Sequence, residues 1–233
     1  MEINKTKRLA NPQFYSGVFP KKHIFWHHTA GTTADGAISW WNQTAERVGT
    51  AYVIDRDGTI FEVYDPKYWG FHLGVKTSEG GNPTELDEKQ SIGIEIVSAG
   101  HLYKDEKGNF VQYPLYPNKL AKNIIKPDDV WDMGEKKWHG FQYFQKYTDK
   151  QVEALIWLTK KLVEDFNIPV QEDITKIFDY NPDFEKNLPT GIYSHSTVRK
   201  DKEDVIPHPT FVEKIKAAFN KTSPPPASTK NTK

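Results

Sequence analysis

The sequence predicts a single domain of mixed α/β class, in which a β-sheet is covered by helices. Three observations carry this prediction. An apolar run at residues 23–26 ends in paired histidines and a turn, which is typical of a buried strand. Residues 91–97 alternate isoleucine with other side chains, the period of a strand. Residues 148–166 carry apolar side chains at helical spacing, so strands and helices mix along one chain.

The first elements in chain order are a strand, a helix and a hairpin. After the strand at residues 23–26, residues 34–46 show helical spacing, with an apolar stripe made by Ile38, Trp41 and Ala45. Residues 52–55 and 60–63 are strand-like segments on either side of an Asp-Gly pair. Asp-Gly between two such segments predicts a β-hairpin.

The segment 104–146 is rich in aromatic residues, lysine, aspartate and proline, and it shows little periodicity. We interpret it as a long insertion. Two alternatives stay open for it, a wall of a cleft or a surface excursion without a functional role.

The most clearly predicted helix begins at a capping box formed by Thr148 and Gln151 and ends before Pro169. A short strand at residues 191–193 and a last helix over about 210–219 follow. These elements complete a sheet with at least two helices packed against it.

Composition sets further bounds on the protein. The chain has 233 residues, of which 37% are hydrophobic, enough for one sizeable core. We expect a domain over residues 1–220. Residues 221–233, made mostly of Pro, Ser, Thr and Lys, predict a disordered tail or linker.

Charge and cysteine content exclude several classes of function. Lys+Arg and Asp+Glu both number 31, so no net charge draws the chain to nucleic acid. The chain has no cysteine, so any metal must be held by nitrogen and oxygen. Apolar runs are too short for a membrane span, and no secretory signal is recognisable at the N-terminus. We therefore expect a protein that is cytoplasmic at synthesis.

The paired histidines and one glutamate are the first candidates for chemistry. His27 and His28 follow a strand, where imidazoles at the rim of a sheet can reach a metal or a substrate. The pleat lets only one of them face a given site, so the choice stays open. Glu95 shares a strand face with Gly93. That face is either solvated or carries a carboxylate base in a cleft.

A second cluster near the C-terminus supplies partners for the early histidine. His195 follows a strand-like segment and Asp204 lies nine residues later. With His27 they would make three protein ligands and leave a fourth position open, the pattern of a catalytic zinc site. Lys202 would then lie beside the metal and stabilise an oxyanion.

These motifs together resemble the type 2 N-acetylmuramoyl-L-alanine amidases. The similar segments are, in the order of that family, residues 27–31, 52–60, 72–74, 91–97 and 195–204. The similarity runs from about residue 23 to 219 and is weakest over 104–146. It implies the fold shared by phage lysozyme-type amidases and peptidoglycan recognition proteins, a central mixed β-sheet flanked by helices.

The resemblance also implies a metal site. Zinc would be held by His27, His195 and Asp204. The Asp-Pro-Gly that usually follows the third ligand is replaced here by Asp-Val-Ile-Pro, so Asp201 and His208 are rival ligands.

The remaining site residues follow from the same resemblance. Glu95 matches the glutamate that some members use as a general base, and Lys202 matches the family's lysine. We expect Thr29, Trp69 and His72 to bind substrate, although a structural role for His72 stays open.

The implied function is hydrolysis of the amide bond between N-acetylmuramic acid and L-alanine, by an endolysin-type enzyme that meets cell-wall peptidoglycan after release or export. The alternatives are a peptidoglycan-binding module without activity and a cytoplasmic enzyme that recycles soluble muropeptides. We expect a monomer with no nucleic-acid partner.

Overall fold

The structure, a computed structural model, describes residues 1–10, 12–74, 84–112, 123–183 and 188–220. The predicted tail at 221–233 lies outside these residues. The strands are β1 (Ile3–Asn4), β2 (His23–His28), β3 (Tyr52–Ile54), β4 (Ile60–Glu62), β5 (Ser91–Ile96), β6 (His101–Lys104), β7 (Phe110–Gln112), β8 (Ile124–Ile125), β9 (Val130–Asp132), β10 (Tyr143–Gln145) and β11 (Gly191–Ser194). The helices are α1 (Ala34–Gln43), α2 (Glu85–Lys89), α3 (Asp149–Asp165), α4 (His195–Val198) and α5 (Pro209–Phe219).

The larger sheet has the strand order β1–β4–β3–β5–β2–β11. Strands β3, β5, β2 and β11 run parallel to one another, and β4 pairs antiparallel with β3. The sheet is therefore mixed, as predicted. Its parallel part matters most for the site, because the carboxyl ends of parallel strands meet at one edge.

Strand β2 is buried along its whole length because it has a neighbour on each side and packed side chains on both faces. On one face Trp26 packs on Phe211 of α5, and its indole Nε1 donates a hydrogen bond to Thr159 Oγ1 of α3 at 3.1 Å. On the other face Phe25 belongs to a smaller cluster with Leu73, Tyr193 and Val198. That smaller cluster lies under the histidine that faces the same way, His27.

The predicted hairpin and the long predicted helix are both confirmed. Strands β3 and β4 pair antiparallel with Val53 opposite Phe61. Helix α3 begins after a capping box in which the side chains of Thr148 and Gln151 each bond the other's backbone. None of the helices among the described residues is long and apolar enough to cross a membrane.

Helix α1 is shorter than its sequence pattern predicted. It ends at Gln43 and not at 46. The Thr44 carbonyl oxygen accepts a hydrogen bond from Gln13 Nε2 at 3.0 Å, and Arg47 has a φ of 56°, so the chain leaves the helical path here. The predicted buried positions Ile38 and Trp41 are confirmed.

The segment predicted as a long insertion with little periodicity forms most of a second sheet. This sheet has the order β8–β7–β6–β10–β9, and every pairing in it is antiparallel. Gln112 Nε2 donates a hydrogen bond to the Ala30 carbonyl oxygen at 2.5 Å. Trp138 Nε1 donates to the Glu203 carbonyl oxygen at 2.6 Å. These contacts favour a wall beside the end of β2 over a detached surface excursion.

Lys21 fastens the start of β2 to two other segments. Its side chain is buried, and Nζ donates to the carbonyl oxygens of Tyr68 at 2.7 Å, Lys89 at 2.9 Å and Ser91 at 3.1 Å. An ammonium has three N–H groups and no acceptor, so all three donors are satisfied here.

Replacing this ammonium tests its contribution to the fold. Lys21→Met keeps the apolar stem but removes the three hydrogen bonds to buried carbonyl oxygens, so we expect the free energy of unfolding to fall by about 2 to 3 kcal/mol. Lys22→Met is the matched control, because the adjacent Lys22 side chain is exposed. Urea unfolding of both variants measures the difference, and equal stability of the two would contradict this role for Lys21.

Candidate functional site

The candidate site lies where three parallel strands end. His27 is in β2, and Glu95 is its register partner in β5. His195 directly follows β11, which pairs with the other side of β2. The sheet topology therefore brings two histidines and a carboxylate to one edge before any loop contributes.

His27, His195 and Asp204 form a compact cluster. His27 Nδ1 lies 3.3 Å from Asp204 Oδ2, and His195 Nδ1 lies 3.2 Å from the same oxygen. One potential ligand atom from each of the three residues lies within 4.8 Å of the others. The residues are 2%, 8% and 6% exposed respectively. This is the one group among the described residues with the spacing of a metal site.

The ionisation of the cluster suits metal binding. Burial, with the nearby His195, lowers the pKa of His27 to about 4, so its imidazole is neutral at neutral pH. Burial alone would raise the pKa of Asp204, but the adjacent imidazoles of His195 and His27 hold it well below its usual value. Neutral imidazole and ionised carboxylate are the forms that ligate a metal.

Glu95 completes the arrangement with an unpartnered oxygen. Its Oε2 atom is buried and makes no hydrogen bond with any described residue. Burial and the Asp204 carboxylate raise the pKa of Glu95 well above its usual value, while Lys202 lowers it. A carboxyl group with a raised pKa and a free oxygen can take up and release a proton during a reaction.

The donor set fits zinc. Two imidazoles and one carboxylate are typical of catalytic zinc sites, in which a fourth position is left for water or substrate. A buried carboxylate beside two imidazoles also gains from a cation that all three can share. The residues present are therefore suited to hold one Zn²⁺.

The rival ligands lie elsewhere. His28 points to the opposite face of β2, where its Nδ1 lies 3.0 Å from the Tyr147 hydroxyl oxygen. Asp201 is bound by the guanidinium of Arg199, at 2.7 Å from Nε and 2.5 Å from Nη2. His208 stacks on Trp131 with ring centroids 4.3 Å apart. Of these candidates, the structure brings only Asp204 to the two histidines.

Of the three predicted substrate-binding residues, Thr29 and His72 line the open cleft and Trp69 does not. Thr29 is in the cleft wall, and its hydroxyl group also holds the turn after β2 through contacts with Gly31 and Ser98. Trp69 does not line the cleft, because its ring stacks on Tyr15 with centroids 4.1 Å apart.

His72, the third of these residues, is at the site but lies behind a candidate ligand. Its Nδ1 is 2.9 Å from His27 Nε2, and its side chain is 3% exposed. The structural role left open for His72 by the sequence is therefore the one that the geometry favours. Lys202 lines the cleft beside the cluster, as expected.

The cleft at this edge of the sheet has a volume of about 1080 Å³. Besides the cluster it is lined by the turn after β2, by α1 and by the second sheet. Trp40 of α1 lines it with 54% of its surface exposed. Sequence reasoning missed Trp40, although its position beside the buried Trp41 placed it off the apolar stripe of α1.

Comparisons with known proteins agree with this architecture. A family model described as N-acetylmuramoyl-L-alanine amidase matches residues 19–209. A mutant of PlyL is similar at a TM-score of 0.50 and 14% identity, over 93% of this chain and 99% of that one. The PlyG catalytic domain is similar at 0.50 and 15% identity, over 97% of this chain and 100% of that one.

A third solved structure contains a bound ligand. The N-acetylmuramyl-L-alanine amidase AmiD from E. coli, in complex with anhydro-N-acetylmuramic acid-L-Ala-D-γ-Glu-L-Lys, is similar at a TM-score of 0.50 and 15% identity. The similarity covers 93% of this chain and 63% of AmiD. No curated protein matches by sequence. At these identities the solved structures show a common fold.

Proposed function

This chain belongs to the type 2 N-acetylmuramoyl-L-alanine amidase family, and we propose that it is a zinc-dependent member that cleaves the bond between N-acetylmuramic acid and L-alanine in peptidoglycan. The observation that carries the zinc dependence is the meeting of His27, His195 and Asp204 within 4.8 Å. Glu95, the register partner of His27, has a buried and unpartnered oxygen, which supports catalysis over binding alone.

Each residue has a distinct part in the reaction. The chemistry that a bound zinc ion supplies is polarisation of a carbonyl oxygen and a lowered pKa of water. Glu95 accepts a proton from the attacking water as the new C–O bond forms, and it delivers that proton to the L-alanine nitrogen as the C–N bond breaks. The Lys202 ammonium stabilises the negative charge that develops on the carbonyl oxygen.

The size of the cleft favours a polymeric substrate. Its volume of about 1080 Å³ lies just above the roughly 300–1,000 Å³ usual for small-molecule sites. We therefore propose an endolysin-type role on the intact cell wall, reached after release or export, with the soluble muropeptides of a recycling enzyme as the alternative.

Product analysis tests this function. Purified sacculi and soluble muropeptides are incubated separately with the protein, and the products are identified by mass. Release of stem peptides with a free L-alanine amine, faster from sacculi, is the expected result. Faster release from soluble muropeptides would favour the recycling role, and binding to sacculi without any release would favour a binding module.

The metal assignment predicts a contrast between adjacent histidines. His27→Ala removes a proposed ligand and is expected to lower the zinc content well below one ion per chain, whereas His28→Ala, on the opposite face of β2, keeps it. Elemental analysis after dialysis measures this. The reverse pattern would place the site on the His28 face.

The third ligand has its own control. Asp204→Asn is expected to lose zinc. Asp201→Asn keeps it, because Asp201 is occupied by Arg199. Zinc loss in Asp201→Asn with zinc retained in Asp204→Asn would show that Asp201, and not Asp204, is the third ligand.

Glu95→Gln tests the general base. The amide keeps the size of the side chain but cannot take up the proton, so the turnover number is expected to fall by about two to four orders of magnitude. Zinc content and thermal stability should be unchanged. Near-normal turnover would move the base elsewhere, and loss of zinc would make Glu95 a ligand.

Trp40 is proposed as a contact for substrate in the cleft. Trp40→Ala removes an exposed aromatic surface and is expected to raise KM about 3- to 10-fold with little change in kcat. Leu86→Ala is the control, because Leu86 is equally exposed, at 54%, and does not line the cleft. A KM unchanged in Trp40→Ala would remove this residue from the substrate site.

A further inference from the structure

Both histidines of the proposed zinc site are hydrogen bonded to one dipeptide, His72–Leu73. His72 Nδ1 lies 2.9 Å from His27 Nε2, and the Leu73 carbonyl oxygen lies 3.4 Å from His195 Nε2. We propose that this dipeptide, fastened by the buried carboxylate of Glu88, is a positioning element that sets the tautomer and the orientation of both imidazoles. The inference rests on the proposed function, since it concerns the same zinc site.

The direction of the hydrogen bonds from Ser91 to His72 and His27 follows from the Glu88 carbonyl oxygen, which can only accept. Ser91 Oγ lies 3.1 Å from the Glu88 carbonyl oxygen, so the hydroxyl group donates to it. Ser91 Oγ also lies 2.8 Å from His72 Nε2, and having used its one proton it accepts there. His72 therefore carries its proton on Nε2, and its Nδ1 is an acceptor.

This order fixes the tautomer of His27. Since His72 Nδ1 accepts, His27 donates from Nε2, and its Nδ1 has a bare lone pair. That Nδ1 is the atom 3.3 Å from Asp204 Oδ2. The chain from Glu88 through Ser91 and His72 thus leaves His27 ready to ligate a metal with Nδ1.

The second histidine is set by the same dipeptide. The Leu73 carbonyl oxygen can only accept, so this contact favours the tautomer in which His195 donates from Nε2 and Nδ1 is the ligand atom. His195 Nδ1 lies 3.2 Å from Asp204 Oδ2. Nδ1 of both imidazoles thus faces one carboxylate oxygen, and a cation bound between them would take the place of any proton that these groups share.

Glu88 holds the dipeptide in place. Its carboxylate accepts hydrogen bonds from the His72 backbone N–H at 2.9 Å and from the Leu73 N–H at 2.9 Å. Glu88 is fully buried, and hydrogen bonds such as these offset the free-energy cost of removing its carboxylate from water. These bonds hold the imidazole of His72 and the carbonyl group of Leu73 on one rigid segment.

The absence of a side chain at Gly93 leaves space for His72 beside His27. A Cβ atom at Gly93 would lie 3.1 Å from His72 Nδ1 and 2.6 Å from Thr50 Cγ2. The strand position beside Glu95 is therefore occupied by the packed side chains of Thr50 and His72. Gly93 allows the imidazole of His72 to approach that of His27.

Zinc affinity of substituted proteins tests the inference. His72→Leu removes the acceptor, and His72→Asn keeps a side-chain oxygen close to the place of Nδ1. Competition with a chromogenic chelator is expected to show zinc bound about 10- to 100-fold more weakly in His72→Leu, and within about threefold of wild type in His72→Asn. Thermal unfolding of the metal-free proteins separates this effect from a loss of folding.

Glu88 has a matched control on the same helix. Glu88→Gln replaces one of the two acceptor oxygens by an amide NH2 group that opposes one of the two backbone donors, so zinc affinity is expected to fall about tenfold. Glu85→Gln is the control, because Glu85 is exposed and pairs with Lys89. Its zinc affinity should equal that of wild type.

The outcomes separate this inference from the proposed function. If His72→Leu binds zinc as tightly as wild type, the inference is wrong while the zinc site stands. Equal losses in His72→Leu and His72→Asn also overturn it, since they would indicate packing and not hydrogen bonding. A wild-type protein that binds no zinc overturns the proposed function together with the inference.

Discussion

The site depends on the contacts of one buried carboxylate, that of Asp204, with the imidazoles of His27 and His195. Removing a carboxylate from water is costly unless hydrogen bonds or a cation receive it. One oxygen of Asp204 lies within 3.3 Å of both imidazoles. The parallel pairing of β2 with β5 and β11 brings the two histidines to the same edge of the sheet. The loop after α4 then contributes the Asp204 carboxylate.

Much of this arrangement could be predicted from the sequence because strand periodicity determines it. Two apolar strands carry a reactive side chain near their carboxyl ends, His27 on β2 and Glu95 on β5. These strands are neighbours in the parallel part of the sheet. The places of Trp69 and His72 could not be predicted in this way. Trp69 stacks on Tyr15, and His72 contacts His27 of β2, and neither contact leaves a periodic pattern in the sequence.

The second sheet shows a different limit of sequence reasoning. Its strands are two to four residues long, too short for an alternating pattern to be recognised within residues 104–146. Their stability comes from pairing with one another and from contacts with the main domain. Gln112 donates a hydrogen bond to Ala30 in the turn after β2, and Trp138 donates one to the backbone of Glu203, which precedes Asp204. The segment that looks least like the family therefore supports the two loops that border the cleft.

The central claim is that His27, His195 and Asp204 form one zinc site, and anomalous diffraction at the zinc edge tests it most directly. Crystals of the zinc-loaded full chain should show a single strong peak at about 2.0–2.2 Å from Nδ1 of both histidines and from a carboxylate oxygen of Asp204. The same map identifies which imidazole nitrogen ligates. A peak on the opposite face of β2, beside His28 and Glu203, or no peak at all at the cluster, would contradict the account.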